Sequence, residues 1–136
     1  MNTIPDGFSV LARRSPATDP WQPMYERKDA DAFVIGLYVE PQHCNSRGTL
    51  HGGVLSALAD NAMIYGCLDT IAERDPSAGL ATVSMNVDFL GGAKPGDWVS
   101  VHGSLVKSGK SLHFAQCLGY AGERLILRAS SVLKQL

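Results

Sequence analysis

Asn45-Ser46-Arg47-Gly48-Thr49-Leu50-His51-Gly52-Gly53-Val54-Leu55-Ser56-Ala57-Leu58-Ala59-Asp60-Asn61 is the stretch on which the reading of this chain turns. Its first half, rich in Asn, Ser, Gly and Thr, reads as a loop. Its second half opens a helix predicted over Gly52 to Thr70. Along that helix Val54, Leu55, Ala57, Leu58, Ala59, Ala62, Met63 and Ile64 cover nearly the whole circumference, the pattern of a helix buried on most sides. Only Ser56, Asp60, Asn61 and Tyr65 interrupt the apolar coat.

Downstream of Pro76 the period changes to two. Ala81, Val83, Met85, Val87 and Phe89 alternate with Thr82, Ser84, Asn86 and Asp88, and the alternation returns with Val99, Val101, Gly103 and Leu105. Leu112, Phe114, Gln116, Leu118 and Tyr120 continue it, and Leu125, Leu127, Ala129, Ser131 and Leu133 end it. Turns at Gly91 to Gly96, Ser108 to Lys110 and Ala121 to Gly122 are too short for crossover helices, which predicts an antiparallel meander. With Phe33 to Val39 as a first strand, the expected fold is α+β: an antiparallel sheet of about five strands wrapped around one long central helix. Residues 1–32 carry Pro5, Pro16, Pro20 and Pro23 and the charges of Glu26 to Asp31. They read as an irregular arm with a short helix near Phe8 to Arg13, leaving 33–136 as the folded domain.

Composition narrows the function. At 136 residues and 45% hydrophobic content the chain suits one domain with a core that needs no staple. A net charge of −1 supplies no basic field for nucleic acid or an anionic membrane. Cys44, Cys67 and Cys117 are odd in number and lack C-x-x-C spacing, which argues against disulfides and a zinc site and for a reducing cytoplasm. Met1 to Arg14 hold no apolar run of signal-peptide length, and no membrane-spanning run follows.

Two features of the opening stretch carry chemistry. Gly52 and Gly53 at a helix entrance leave unpaired backbone N–H groups bare at the positive end of the helix dipole, the equipment of an oxyanion hole. Tight packing of the helix start against the sheet explains the same two glycines. Asp60 lies mid-helix among apolar residues, too far in to cap the N-terminus, where a carboxylate is costly without a task. The competing reading puts it on a polar stripe with Ser56, facing water. His51 and Asp60 are separated by about 13 Å of helix, too far to flank one carbonyl from a single chain. Two antiparallel helices about a dimer axis bring the start of one beside the middle of the other. A small sheet with open edges also favours pairing with a second copy, so a homo-oligomer, dimer or tetramer, is expected.

Asn45, Gly48, His51-Gly52-Gly53, Leu58 and Asp60 together resemble the signature of hotdog-fold thioesterases of the 4-hydroxybenzoyl-CoA thioesterase superfamily, in its phenylacetate-degradation-type branch. The similarity runs over residues 33 to 134 and takes in Ala81-Thr82-Val83-Ser84, Pro95-Gly96-Asp97 and Lys107-Ser108-Gly109-Lys110-Ser111-Leu112. The resemblance implies hydrolysis of an acyl-CoA thioester without metal or added cofactor. It makes Asp60 the general base or nucleophile and the Gly52 N–H the group that polarises the carbonyl. His51 and Asn45 would orient thioester or water, and Ser84 would be the hydroxyl that holds that water. Gly53 and Val83 would line the substrate, and Lys107, Ser108, Gly109, Lys110 and Ser111 would contact coenzyme A. Ile64 stands where some relatives carry a hydroxyl one turn after the acid, and Gly91-Gly92 replaces a bulkier turn, which opens the substrate mouth. A non-catalytic acyl-CoA-binding hotdog module is the alternative, although a pure binder has no need of Asp60. A dehydratase of the same fold would pair its acid with a histidine in a different motif.

Overall fold

The computed structural model describes residues 3–136. One sheet of seven antiparallel strands packs against one helix. The strands are β1 (Ser9–Val10), β2 (Tyr25–Lys28), β3 (Phe33–Tyr38), β4 (Leu80–Phe89), β5 (Trp98–Ser108), β6 (Leu112–Ala121) and β7 (Arg124–Gln135), in the order β1-β2-β3-β5-β6-β7-β4. Helix α1 (Gly52–Ile71) enters between β3 and β4 and crosses the sheet. Short turns join β5 to β6 and β6 to β7; in the second, Gly122 takes φ +59°, a conformation that favours glycine.

The predicted helix and meander are therefore present, and two readings need correction. The sheet has seven strands in place of about five, because the arm supplies β1 and β2. Tyr25 to Lys28 pairs with Phe33 to Gly36, and Ser9–Val10 pairs with Tyr25 and Glu26 where a short helix was expected. The arm also reaches the core: Leu11 and Met24 are buried, and the Leu11 N–H donates to the Met24 carbonyl. On β6 the larger apolar residues of the alternation lie on the outer face. His113, Ala115, Cys117 and Gly119 face the helix, whereas Leu112, Phe114 and Leu118 are about two-fifths exposed.

The reason lies in how closely the helix approaches. A Cβ on Gly103 of β5 would overlap the Ala62 carbonyl and the Met63 nitrogen, and one on Gly66 would stand 2.7 Å from the Gly103 oxygen. Backbone therefore rests on backbone at the middle of α1, and the strand beneath can present only small side chains there. Larger residues fill the rest of the interface: Val54, Leu55, Leu58, Met63 and Ile71 from the helix meet Phe33, Ile35, Leu37, Val101, Leu127 and Leu133 from the sheet. The opposite side of α1, with Ala57, Asp60, Asn61, Ile64 and Leu68, is half-buried.

Candidate active site

The helix entrance is built by the loop before it. Asn45 Oδ1 accepts the N–H groups of Arg47 (3.0 Å) and Thr49 (3.2 Å), its Nδ2 donates to Thr49 Oγ1, and Gly48 turns the chain at φ +79°. The Leu50 N–H donates to the Ala93 carbonyl and that of His51 to the His43 carbonyl, which clamp the loop to its neighbours. His51 is the N-cap: with φ −68° and ψ 129° it stops the helix, and its Nδ1 accepts the Gly53 N–H at 2.8 Å. With Nδ1 accepting that bond, the ring N–H is on Nε2. The bond also removes the Gly53 N–H as a donor to any ligand. Among the described residues the Gly52 N–H meets no acceptor, as helix geometry dictates for a first-turn donor.

Gly52 opens on a cavity of about 210 Å³ that Asn45, Leu55, Phe89, Gly91, Gly92 and Ile126 also line. A Cβ at residue 52 would lie 3.2 Å from the Phe89 ring, so the glycine lets that ring lie close over the helix start. A Cβ at Gly92 would meet nothing within 4 Å, whereas one at Gly91 would stand 3.2 Å from Ile126, and the Arg124 guanidinium donates to the Gly92 carbonyl at 2.6 Å beside the cavity. A Cβ at Gly53 would press within 2.9 Å of the His51 ring, so that glycine protects the cap. At Gly52 close packing and an exposed donor therefore coexist, while Gly53 serves the cap alone.

Asp60 is half-buried on the open side of α1, eight positions beyond Gly52, and does not line that cavity. Eight helical residues rise about 12 Å, so one chain does not bring the two groups to the same atom. The hydroxyl beside the acid is Thr82: its Oγ1 donates to Asp60 Oδ1 at 2.7 Å. Ser84, the residue expected in that place, lies on the other face of the sheet. It pairs with Val132 of β7 and borders a surface cleft with Phe114 and Ser130. A bulge at Val83 separates the two, with Thr82 opposite Leu133 and Ser84 opposite Val132. Val83 itself is exposed on β4. The segment Lys107 to Ser111 closes the β5–β6 hairpin at the far end of α1 from Gly52, where the Arg74 guanidinium meets Ser108 Oγ at 2.6 Å.

Other nucleophiles are poorly placed. Burial pushes the Cys67 thiol up to about 11 and that of Cys117 up to about 12, which leaves both as inert core groups near neutral pH. Asp60 with its hydroxyl partner and the bare helix start remain as the candidate groups for acyl transfer to water.

A seven-stranded antiparallel sheet cradling one helix, with a carboxylate in mid-helix and free N–H groups at its start, defines a hotdog-fold thioester hydrolase. Residues 47–127 match the family described as Thioesterase superfamily, and the chain belongs to that family. A Pseudomonas aeruginosa protein named provisionally as the esterase PA0474 is 40% identical over 133 residues, 97% of each chain. Mouse acyl-coenzyme A thioesterase 13 is 33% identical over 85 residues, which cover 62% of this chain and 58% of that enzyme. Among solved structures, the Escherichia coli PaaI protein from the phenylacetic acid degradation operon superposes with a TM-score of 0.76 at 19% identity, over 88% of this chain and 84% of that one. The last likeness concerns the fold alone.

Proposed function

We propose that the protein hydrolyses acyl-CoA thioesters to a free acid and coenzyme A in a site assembled from two chains. The observation that carries the reading is the pairing of Asp60 with Thr82 at mid-helix, about 12 Å along the helix from the free N–H of its own Gly52. With Oδ1 bound to Thr82, Oδ2 is left to take a proton from water. That water adds to the thioester carbonyl while the Gly52 N–H of the second chain stabilises the oxygen that becomes negative. The carbon–sulfur bond then breaks, and the proton held by Asp60 passes to the departing CoA thiolate. His51 Nε2–H and the Asn45 loop border the same donor and orient the acyl carbonyl.

The second chain has a natural docking edge. β4 is the last strand of the sheet, ten residues long, with Val83 and Phe89 exposed, whereas the other edge is the two-residue β1. Antiparallel pairing of β4 with its symmetry mate extends the sheet and sets the half-buried sides of two α1 helices against each other. The exposed Val106, Leu112, Phe114 and Leu118 of the outer sheet face give two such dimers a surface on which to stack. Three free cysteines suit a reducing cytoplasm. Among the described residues no helix is long and apolar enough to cross a membrane.

A thiol-release assay over a panel of aromatic and aliphatic acyl-CoAs tests the reaction. Asp60→Asn keeps the shape and should lower turnover by about a hundredfold or more, the usual worth of a positioned base. Turnover within about twofold of the unmodified protein would remove Asp60 from the chemistry.

A further inference from the structure

On the sheet face turned away from α1, the arm and the outer side of β5 and β6 enclose a cleft of about 560 Å³. Its floor is the outward alternation of those two strands. Ser100, His102 and Ser104 stand beside Tyr120, Leu118 and Gln116 in register, while Val99, Val101 and Gly103 turn to the helix. Its wall is Trp98 with Phe8 of the arm. A Cβ on Gly36 of β3 would overlap the Trp98 ring, so the glycine lets the indole lie on the sheet, where Tyr38 and Phe8 meet it edge-on at 4.8 and 5.1 Å. Arg27 fixes the arm there: its guanidinium lies 4.8 Å from the Phe8 ring centroid and donates to both carboxylate oxygens of Asp29, at 2.8 and 3.0 Å. Val106, Leu112 and Phe114 of the stacking surface lie toward the other end of the same strands, and Leu118 is where the two areas meet.

Charge argues against an anionic ligand. Among the described residues Arg27 is the one full cation lining the cleft, and Asp29 matches it, its carboxyl held below the usual range by the guanidinium; Asp31 at the rim adds a negative charge. Burial keeps the His102 imidazole below its ordinary value and so neutral near pH 7. What the cleft offers is neutral hydrogen bonding beside aromatic faces. His102 Nε2 lies 3.0 Å from Ser100 Oγ, and among the described residues its Nδ1, the Ser104 hydroxyl, the Gln116 amide and the Tyr120 hydroxyl meet no protein partner. Such groups orient a ligand whose flat body lies against the rings. A single ring would leave most of the cleft empty, whereas a fused ring carrying a sugar-sized polar group matches both its volume and its four neutral partners.

We infer that this cleft binds an uncharged purine nucleoside, its base against the Phe8–Trp98 wall and its polar edges on the Ser104, Gln116 and Tyr120 floor. The site lies on the opposite face of the sheet from Asp60 and takes no part in the hydrolysis proposed above. Calorimetric titration of the whole chain with adenosine and with inosine tests it. At least one should bind with a Kd of about 0.1 mM, the efficiency usual for a molecule of that size, and should change the Trp98 fluorescence. Gln116→Leu removes a hydrogen-bonding partner from an exposed side chain that nothing in the fold depends on, and should weaken binding about fivefold. Phe8→Leu removes the aromatic face and should weaken it about tenfold. Adenosine monophosphate, whose phosphate adds charge to a cleft without a spare cation, should bind about threefold more weakly than adenosine. The inference is overturned if neither nucleoside binds below about 2 mM, if both variants bind as the unmodified protein does, or if the monophosphate binds more tightly than adenosine.

Discussion

Thr82 and Ser84 sit two residues apart on the same strand, and only one touches the acid. Ladder alternation alone would give both the same face, but the bulge at Val83 turns Thr82 inward to Asp60 and leaves Ser84 opposite Val132 on the outer face. Removing the Thr82 hydroxyl should release Asp60 Oδ1 and lower kcat about tenfold, as loss of a hydrogen bond to a charged group does. Thr82→Val is the informative change, with Thr82→Ser restoring most of the rate and Ser84→Ala staying within about twofold. Thiol release at saturating substrate measures all three, and a loss confined to Ser84→Ala would contradict the assignment. That the sequence points to Ser84 as the water-holding hydroxyl and not to Thr82 has a visible cause. Leu80 faces inward opposite Gln135, and so do Met85, Val87 and Phe89, although position 80 and positions 85, 87 and 89 differ in parity. One extra residue between them reconciles the pattern, and that is the signal the plain alternation hid. Asp60, Gly52 and His51 were legible as candidates because their signal is local: a charge in an apolar helix and bare donors at its start. Thr82 was not, because its role depends on a register that only the folded sheet defines.

Among elements, α1 was readable in full because an all-round apolar coat has one solution, a helix enclosed by its surroundings. β1 and β2 were not. Two and four residues are too few for a period to show, and the charges of Glu26, Arg27 and Lys28 hide a strand whose pairing comes from β3. The outward placement of the larger β6 residues has its origin in the contact of Gly66 with Gly103, which admits only small side chains beneath the helix. That contact can be tested without reference to activity. Gly103→Ala should destabilise the fold by about 3 kcal/mol, at the upper end of overpacking costs, and lower the melting temperature by about 10 °C. Gly92→Ala, which places its methyl in open space, should melt with the unmodified protein. Equal melting of both variants would mean that helix and sheet do not meet backbone to backbone.

For the molecule as a whole, the central claim is that neither chain owns a complete site. Gly52 and Asp60 are fixed to one rigid helix about 12 Å apart, so their cooperation needs the helix of a second copy. Complementation measures this directly. Gly52→Pro deletes the donor N–H at the first helical position, where proline is well tolerated and where His51 already has the extended backbone that proline requires before it. Asp60→Asn deletes the acid. Each variant alone should be inactive, and native-like melting of each serves as the control. Co-expressed in equal amounts, they pair at random, about half of the dimers are mixed, and each mixed dimer has one intact site of two. The account predicts about a quarter of the activity of the unmodified protein in the mixture; a mixture no more active than its parents would contradict it.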